Sequence, residues 1–491
     1  MDIETTSDEL KGKIIRSFFW KILERGGLQI IQFVIAVLIA RMLIPEDYGV
    51  VALVTVFISI ATIFVKSGLS TALVQKKNAT QVEFSSVFFY SLSISLALYI
   101  ILFFAAPHIA MFYNMPSLNE ILRVMALTLF PGAFNSVQLA YSSKHMQFKK
   151  QFLGSIIAAI ISSIVGIGLA ILNYGPWALV FQQLSYQVSV CIVMWFTVKW
   201  RPMFIFSFSK TQTLLSYGIR LLGANIIDTV YRNLENFIIG RYFSSAALAF
   251  YSKGKQFPLI LFNNIDGSIQ SVMMPALSIK QNELSDLKIM IRKTVSLSSY
   301  LAYPAMAGLA AIAQPLIILT LGKSWASVIP FLRIYCLIAA LFLLQTTNLQ
   351  AINALGRSDL FLKLMLAKRA LGTLILFSSV LIFRDIFAIA WAIVISEIIS
   401  IIVGIIPVKK VLNYSFIEQL QDVAPNFILS FLMGIIVYSV TLLNHHYLIV
   451  IFVQIISGIM TYIILSLLFN RQNLLPILFL VNKFIRKFFK G

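Results

Sequence analysis

Long apolar runs almost free of charge constrain this chain more than any other feature. Residues 81–109, 155–172 and 428–443 are the clearest. A helix needs about 20 apolar residues to cross a hydrocarbon core, and these runs meet or approach that length. Hydrophobic residues make up 59% of the chain and charged residues only 12%, whereas a soluble domain is about a quarter charged. A membrane β-barrel would show alternating segments of roughly ten residues, and none is present. The expected fold class is an all-α polytopic membrane protein.

Fourteen transmembrane helices are predicted, at 14–43, 47–75, 83–111, 119–143, 151–173, 176–199, 216–243, 247–278, 290–313, 327–354, 361–383, 386–407, 424–443 and 447–469. The loops between them are short, so no extramembrane catalytic domain is expected. The start, "MDIETTSDELKGKIIR", is polar and acidic, unlike the basic start and small-residue cleavage site of a signal peptide. The two cysteines, Cys191 and Cys336, lie in apolar runs and read as small core residues. The four histidines show no metal-ligand spacing.

Loop charge fixes the sides. Taken alternately, one set of loops holds Lys11, Lys13, Lys76, Lys77, Lys144, Lys149, Lys150, Arg201, Lys288, Arg292, Arg357, Lys409 and Lys410, with Arg471, Lys483, Arg486, Lys487 and Lys490 in the tail. The other set holds only Lys323 and Arg384, with Arg41 and Arg241 at its margins. Basic residues in short loops mark the cytoplasmic side, so both termini are expected there. The formal charge of +20 is then mostly an orientation signal rather than a sign of nucleic-acid binding. The tail "NKFIRKFFKG" suits anionic lipid head groups.

The chain repeats itself. "IARMLIPEDYGVVALV" from 39 is echoed by "IGRYFSSAALAFYSKG" from 239, so Arg41 falls on Arg241. "ILRVMALTLF" at 121 resembles "FLRIYCLIAA" at 331, and "YGPWALVFQQ" at 174 resembles "IFAIAWAIVI" at 386. The common order suggests that helices one to six recur as seven to twelve, two six-helix lobes related by a pseudo-twofold. Parallel repeats of this kind bind substrate between halves near the midplane. The expected organisation is a cytoplasmic segment (1–13), an N-lobe (14–200), a linker (201–215), a C-lobe (216–410), two further helices (411–470) and a basic tail (471–491).

Polar residues enter the membrane on matching faces. On the first helix Lys21, Arg25, Gln29 and Gln32 share a face, with Glu24 at its edge; on the seventh Asn225, Asp228, Arg232 and Glu235 do the same. Ionisable groups at membrane depth cost a few kcal/mol each and normally face a bundle interior or a wet cavity. Lys66 and Asp266 coincide at a spacing of 200, although "TALVQK" and "PALSIK" align at 204. Two readings stand for these residues. They line a substrate cavity, or they serve as local pairs and interhelical glue, Asp228 neutralising Arg232 four residues on. Arg41 and Arg241 read as side chains snorkelling to the outer interface, and Arg123 and Arg333 as anchors where their helices begin. Glu397 is either the partner of a buried base or a proton site. Pro131, Pro258, Pro275 and Pro304 mark kinks or close packing.

The stretches "ARMLIPEDYGVVAL", "SGLSTALVQ", "YGPWALVFQQL", "ALAFYSKGKQFP" and "MMPALS" together resemble the polysaccharide-transporter branch of the multidrug/oligosaccharidyl-lipid/polysaccharide (MOP) exporter superfamily, the group of Wzx- and WzxC-like flippases. The resemblance spans roughly residues 15 to 410. It implies a non-enzymatic, alternating-access flippase in a bacterial cytoplasmic (inner) membrane. The implied substrate is an undecaprenyl-diphosphate-linked oligosaccharide, and Arg25 is the position that would correspond to a diphosphate-binding arginine. No cofactor is implied; the coupling ion, H⁺ or Na⁺, has no motif to carry over. A polysaccharide polymerase or other assembly protein is a possible partner. The competing functions are a MATE-like cation-coupled drug exporter, whose cavity would be acid-rich, and a membrane glycosyltransferase or polymerase. The latter would need acid–base groups at a membrane surface, for which Glu46, Asp47, Asp385 and His445-His446 are scattered candidates. Lys253 and Lys255, if they face inward, favour an anionic substrate.

Overall fold

A computed structural model describes residues 27–29, 31–66, 68–279, 283–442 and 446–475. Among them every regular element is helical: α1 (Gly27–Met42), α2 (Pro45–Lys66), α3 (Leu69–Gln75), α4 (Gln81–Tyr113), α5 (Ser117–Ala126), α6 (Leu129–Lys144), α7 (Phe148–Ile171), α8 (Trp177–Thr197), α9 (Phe208–Tyr242), α10 (Ser245–Ile279), α11 (Leu284–Ala311), α12 (Ala313–Thr320), α13 (Val328–Ala354), α14 (Ser358–Phe383), α15 (Ile386–Leu412), α16 (Phe416–Ser439) and α17 (Tyr447–Phe469). Two short 3₁₀ turns, Lys323–Trp325 and Val440–Leu442, complete the set. The chain forms two compact units, Met1–Ala249 and Phe250–Gly491, so α9 belongs to the first and α10 straddles the division.

The surface is apolar and the interior carries polar groups. Phe104, Ile164, Phe196, Leu381 and Phe452 are largely exposed, while Ser85, Ser91, Asn135, Gln138, Asn426 and Gln454 are buried. A soluble protein avoids large exposed apolar patches; helices packed in lipid use small and polar residues as glue. Among the described residues nine helices are long and apolar enough to cross a membrane, and α11 with α12 makes ten if the bent pair is one span. The other predicted spans fall on α1, on α5 with α6, on α9 and on α10. Of these, α5 and α6 are short pieces of a broken segment, and α9 and α10 carry many polar residues.

Proline explains the breaks. The fourth predicted span is interrupted after Ala126 and resumes at Leu129. A proline clashes with the carbonyl four residues earlier, and Pro131 places that clash at Leu127. Likewise Pro315 acts on Ala311, where α11 ends and α12 leaves at 63°. Pro304, a kink candidate from the sequence, sits inside an uninterrupted α11. The second predicted span breaks at Gly68, whose φ of 65° lies in the left-handed region.

The two halves share their turns as well as their order. Short breaks follow α1 and α9, 200 residues apart. Left-handed residues end the next helices at Asn114 and Gly322, at Met146 and Gly356, and at Asn173 and Arg384. At the second pair the bonds match one for one. Met146 N–H reaches Ser143 O at 3.1 Å and Gln147 N–H reaches Ser142 O at 2.8 Å; Gly356 and Arg357 do the same to Asn353 and Ile352 at 3.0 and 3.4 Å. This is a Schellman ending written twice. The packing repeats too: α4–α6, α6–α8 and α7–α8 in the first unit correspond to α11–α13, α13–α15 and α14–α15 in the second.

A proline inside a membrane helix frees the carbonyl four residues back, and no water replaces its partner there. Side chains from other helices fill the gap. Pro107 frees Phe103, and Arg123 Nε donates to that carbonyl at 3.1 Å while its guanidinium lies 4.2 Å from the Phe103 ring centroid. Pro304 frees Tyr300, and Tyr462 Oη donates to that carbonyl at 2.9 Å. Arg333 Nε reaches Ala310 O at 3.3 Å, among the unpaired last carbonyls of α11. Arg123 and Arg333 are therefore repeat-related carbonyl caps. Tyr462→Phe is expected to cost about 1–2 kcal/mol, read as a fall in thermal midpoint in detergent. Adding Pro304→Ala, which restores the backbone donor, is expected to recover most of the loss.

Candidate functional site

The first unit separates its charges end from end. At one end Lys76 pairs with Glu83 at 2.5 Å, and Lys144 Nζ donates to Leu73 O at 3.2 Å and also to Lys76 O. Gln81 Nε2 donates to Arg201 O at 2.6 Å, and the segment after α8 is pinned where Met203 and Ser207 N–H reach Ser85 and Ser86 hydroxyls at 2.9 and 3.0 Å. The Thr80–Glu83 capping box starts α4 at this end. Three basic loops are thus gathered by direct contact.

The opposite end holds the two hinge copies. A Cβ built on Gly49 would stand 1.8 Å from the Ser245 carbonyl oxygen, so the start of α2 lies directly against the start of α10. A Cβ built on Gly240 would stand 3.0 Å from the Leu53 side chain and 3.4 Å from the Tyr113 ring. Phe57 meets Phe237 edge-on at 5.3 Å, and the Arg241 guanidinium lies 4.7 Å from the Phe112 ring centroid. Gly49 at the contact was not recognised from the sequence; its signal was the glycine inside the first hinge copy, facing alanine in the second.

The described candidates from the sequence lie on α1, α2, α9 and α10. Lys21, Glu24 and Arg25 lie outside the described residues. On α1, Gln29 is half-buried and Gln32 exposed. Lys66, at the end of α2, is exposed. On α9, Asn225 is exposed and Glu235 half-buried, and Arg232 Nε donates to Asp228 Oδ2 at 2.6 Å. Asn233 and Asn236 continue the polar path, at 2.8 Å to Thr229 O and 3.5 Å to Asn233 Oδ1. The local pair expected from the spacing of Asp228 and Arg232 is formed, yet the Arg232 side chain keeps 69% of its surface open. An ion pair so open contributes at most about 1 kcal/mol, and a guanidinium facing hydrocarbon is costly. The arrangement suits water or a polar ligand beside it.

In the second unit Asp266 accepts from Thr346 Oγ1 at 3.0 Å and from Gln270 Nε2 at 3.3 Å, so it is held between α10 and α13. Lys255 Nζ lies 5.6 Å from the Tyr335 ring centroid, and Tyr335 and Tyr251 share a hydroxyl hydrogen bond of 2.6 Å. Among the described residues no group of three or more His, Cys, Asp or Glu could hold a metal ion.

The last two helices, read from the sequence as an appendix, are tightly joined to the rest of the second unit. Arg292 forks onto Asp422 at 2.9 and 2.7 Å, Lys288 meets Glu418 at 2.7 Å, and Tyr414 Oη donates to Asp422 at 2.7 Å. Burial, reinforced by the Asp422 bond, pushes the Tyr414 pKa up and keeps its hydroxyl a donor. Deeper in, Asn348 and Gln419 exchange amide bonds of 3.0 and 3.1 Å, and Asn426 bonds Ser296 O at 2.8 Å and Ser299 Oγ at 2.7 Å. The sequence signal was the stripe Gln419, Asp422, Asn426 and Ser430 on one face of α16.

The arrangement of helices is one shared with solved membrane transporters. It resembles lipid II flippase MurJ in an inward closed conformation with a TM-score of 0.74, at 16% identity over 93% of this chain and 99% of that one. It also resembles an inward-facing MATE family transporter of the MOP superfamily, with a TM-score of 0.61 at 14% identity over 79% and 96%. The profile of the polysaccharide biosynthesis protein family matches residues 38–330, more than half of the chain, and the protein belongs to that family. Its relatives include the teichuronic acid biosynthesis protein TuaB of Bacillus subtilis (strain 168), 22% identical over 87% of this chain and 89% of that protein. The succinoglycan biosynthesis transport protein ExoT of Rhizobium meliloti (strain 1021) is 23% identical over 70% of each. The lipopolysaccharide biosynthesis protein WzxC of Escherichia coli (strain K12) is 21% identical over 64% of each.

The Arg292–Asp422 fork makes a direct prediction. In a double-mutant cycle of Arg292→Met and Asp422→Leu, the singles are expected to lower the thermal midpoint in detergent by more than the double does. The coupling expected is about 1–2 kcal/mol.

Proposed function

We propose that this protein is a flippase that moves an undecaprenyl-diphosphate-linked oligosaccharide from the inner to the outer leaflet of a bacterial cytoplasmic membrane by alternating access. Membership of the polysaccharide biosynthesis family carries the reading, joined to a doubled helix set whose seventh helix keeps an open ionic face. The physical problem is clear. A diphosphate cannot cross hydrocarbon unaided, and arginine can replace its hydration with charge-assisted hydrogen bonds. Arg25 and Arg232 are assigned to the diphosphate, with Asp228 orienting Arg232. Gln29, Gln32, Asn225 and Glu235 give hydrogen-bonding walls for sugars, with Lys66 assigned beside them. In this reading the gathered basic loops are the cytoplasmic end, and both termini are assigned to the inside. Transport in this reading needs no enzymatic step. Relatives named as transport and polysaccharide biosynthesis proteins support it over a drug exporter.

Reconstitution of the full chain with labelled lipid-linked oligosaccharide tests the proposal; transfer no faster than in empty vesicles overturns it. Arg232→Ala is expected to lower transfer at least tenfold at normal insertion, and Arg25→Ala to do the same. The double mutant transferring at the unmutated rate would remove the assigned site.

The meeting of the hinges generates a second test. Gly49→Val forces the start of α2 away from Ser245 and is expected to abolish transfer at normal membrane levels. Gly168→Ala is the control, because a Cβ there meets nothing within 4 Å. Unimpaired transfer by Gly49→Val would show that this contact is dispensable.

A further inference from the structure

Between α8 and α9 the sequence reads "WRPMFIFSF", and the structure turns its apolar side chains outward. Met203, Phe204, Ile205, Phe206 and Phe208 are all exposed, Phe204 at 97%. The backbone, by contrast, is tied down. Met203 and Ser207 N–H groups are taken by the Ser85 and Ser86 hydroxyls of α4, and Gln81 Nε2 holds Arg201 O. Ile205 N–H closes a tight turn on Met203 O at 2.7 Å. Trp200, just ahead, is buried against Phe84 and Phe88. The segment is thus fixed on the first unit while its aromatic rings stand free of the protein, apart from the contact of Phe204 with Phe89 at 5.9 Å.

Its depth follows from α8. That helix has 21 residues and is apolar enough to cross a membrane. It is about 32 Å long, and a hydrocarbon core is about 30 Å thick, so the chain leaving α8 stands at the edge of the core. A row of large apolar side chains facing water there would be a patch that soluble surfaces avoid. At a bilayer interface the same rings bury at the acyl boundary. The lipid-facing surface leads straight into the segment through Ile192 and Phe196, both exposed on α8.

The charge around the segment has one sign. Across residues 66–86, 141–151 and 196–210 the only acid is Glu83, which Lys76 engages. Lys77, Lys149 and Lys199 are exposed at this end. Arg201 has a different task. Its guanidinium donates to Val198 O at 2.6 Å, to Trp200 O at 2.7 Å and also to Trp195 O, and lies 4.6 Å from the Trp195 ring centroid, so it caps the end of α8. An acidic protein partner would match the lysines, but not the unbroken run of lipid-facing side chains from α8 into the segment.

We propose that residues 203–208 are an interfacial anchor whose rings enter the leaflet at the basic end of the unit, while Lys77, Lys149 and Lys199 meet the phosphates of anionic phospholipids. Apolar burial and electrostatic attraction add in such anchors. The inference concerns the bilayer rather than the cargo, so it stands whether or not the flippase reading does. Because Ser207 directly precedes α9, that helix starts from a point held by lipid.

The test uses the full chain in vesicles of mixed phosphatidylcholine and phosphatidylglycerol. Cys191 and Cys336 are replaced by alanine, Phe204→Cys carries a nitroxide, and power-saturation EPR compares its collisions with oxygen, which partitions into lipid, and with a water-soluble nickel chelate. Oxygen collisions are expected to dominate. Dominance of the nickel chelate overturns the proposal by placing the label in water, and protection from both overturns it in favour of a protein neighbour. If the alanine background does not fold, the same label on the native background, with the signal of the labelled unsubstituted chain subtracted, decides between the same outcomes. Native mass spectrometry of the detergent-purified chain tests the lipid. The unsubstituted protein is expected to retain phosphatidylglycerol in preference to phosphatidylcholine. The combined variant Lys77→Gln, Lys149→Gln and Lys199→Gln is expected to retain fewer phosphatidylglycerol molecules, with phosphatidylcholine unchanged. No preference in the unsubstituted chain, or equal retention by the variant, overturns the assignment of the lysines.

Discussion

Hydrocarbon offers backbone carbonyls no partner, and much of this architecture answers that constraint. A soluble protein with a proline inside a helix leaves the freed carbonyl to water. Here Arg123 serves Phe103 behind Pro107, and Tyr462 serves Tyr300 behind Pro304. The satisfier comes from another helix each time, so a local defect becomes a tertiary contact. Pro304 thus gives α17 a fixed point of attachment to α11. The same constraint explains why the amide-rich stripe of α16 is buried against α11 and α13 instead of facing lipid.

Duplication supplies the second organising fact. Two halves with matching turns and matching helix pairings diverge in what the matched positions do. Met146 occupies a left-handed position at which the second half uses Gly356, and Arg384 occupies the position of Asn173. A non-glycine residue there costs about 1–2 kcal/mol, so the backbone pattern has outlasted the residues best suited to it. The hairpins have diverged further. In α7–α8, Gly166 admits Ile39 and the Gln182 side chain, whereas in α14–α15 Gly404 admits the Lys368 ammonium. A small residue that allows close packing in one half allows a buried charge in the other.

Most of the helical plan was legible because lipid imposes long apolar runs and short loops. The repeat was legible because hinges and helix starts keep their residues, and the Asp228–Arg232 pair because four-residue spacing is a property of a single helix. The missing pieces are tertiary. Pro131 was visible, but the break at Ala126 is distinguished from a gentle kink only by what packs there. Nothing near Asp266 in the chain announces Thr346, 80 residues away. Lys368 was passed over because it sits next to Arg369 in a run that reads as a helix start near the basic side. The contact of Gly49 with Ser245 depends on two helix ends meeting, which periodicity does not encode.

The helices that fall short as free-standing spans are informative for the same reason. Among the described residues, α9 and α10 are each 35 residues long yet are not among the sufficiently apolar helices. A 35-residue helix is about 50 Å long, well beyond a hydrocarbon core of about 30 Å, so length is not what they lack. Their deficit is the polar face itself: Asn225, Asp228, Arg232 and Glu235 on α9, and Lys253, Lys255 and Asp266 on α10. Such helices are held in place by their neighbours. The apolar end of α9 lies against α2 and α4 through Phe237 and Gly240. The polar side chains of α9 and α10 carry a cost in membrane insertion, and they stand on two consecutive long helices.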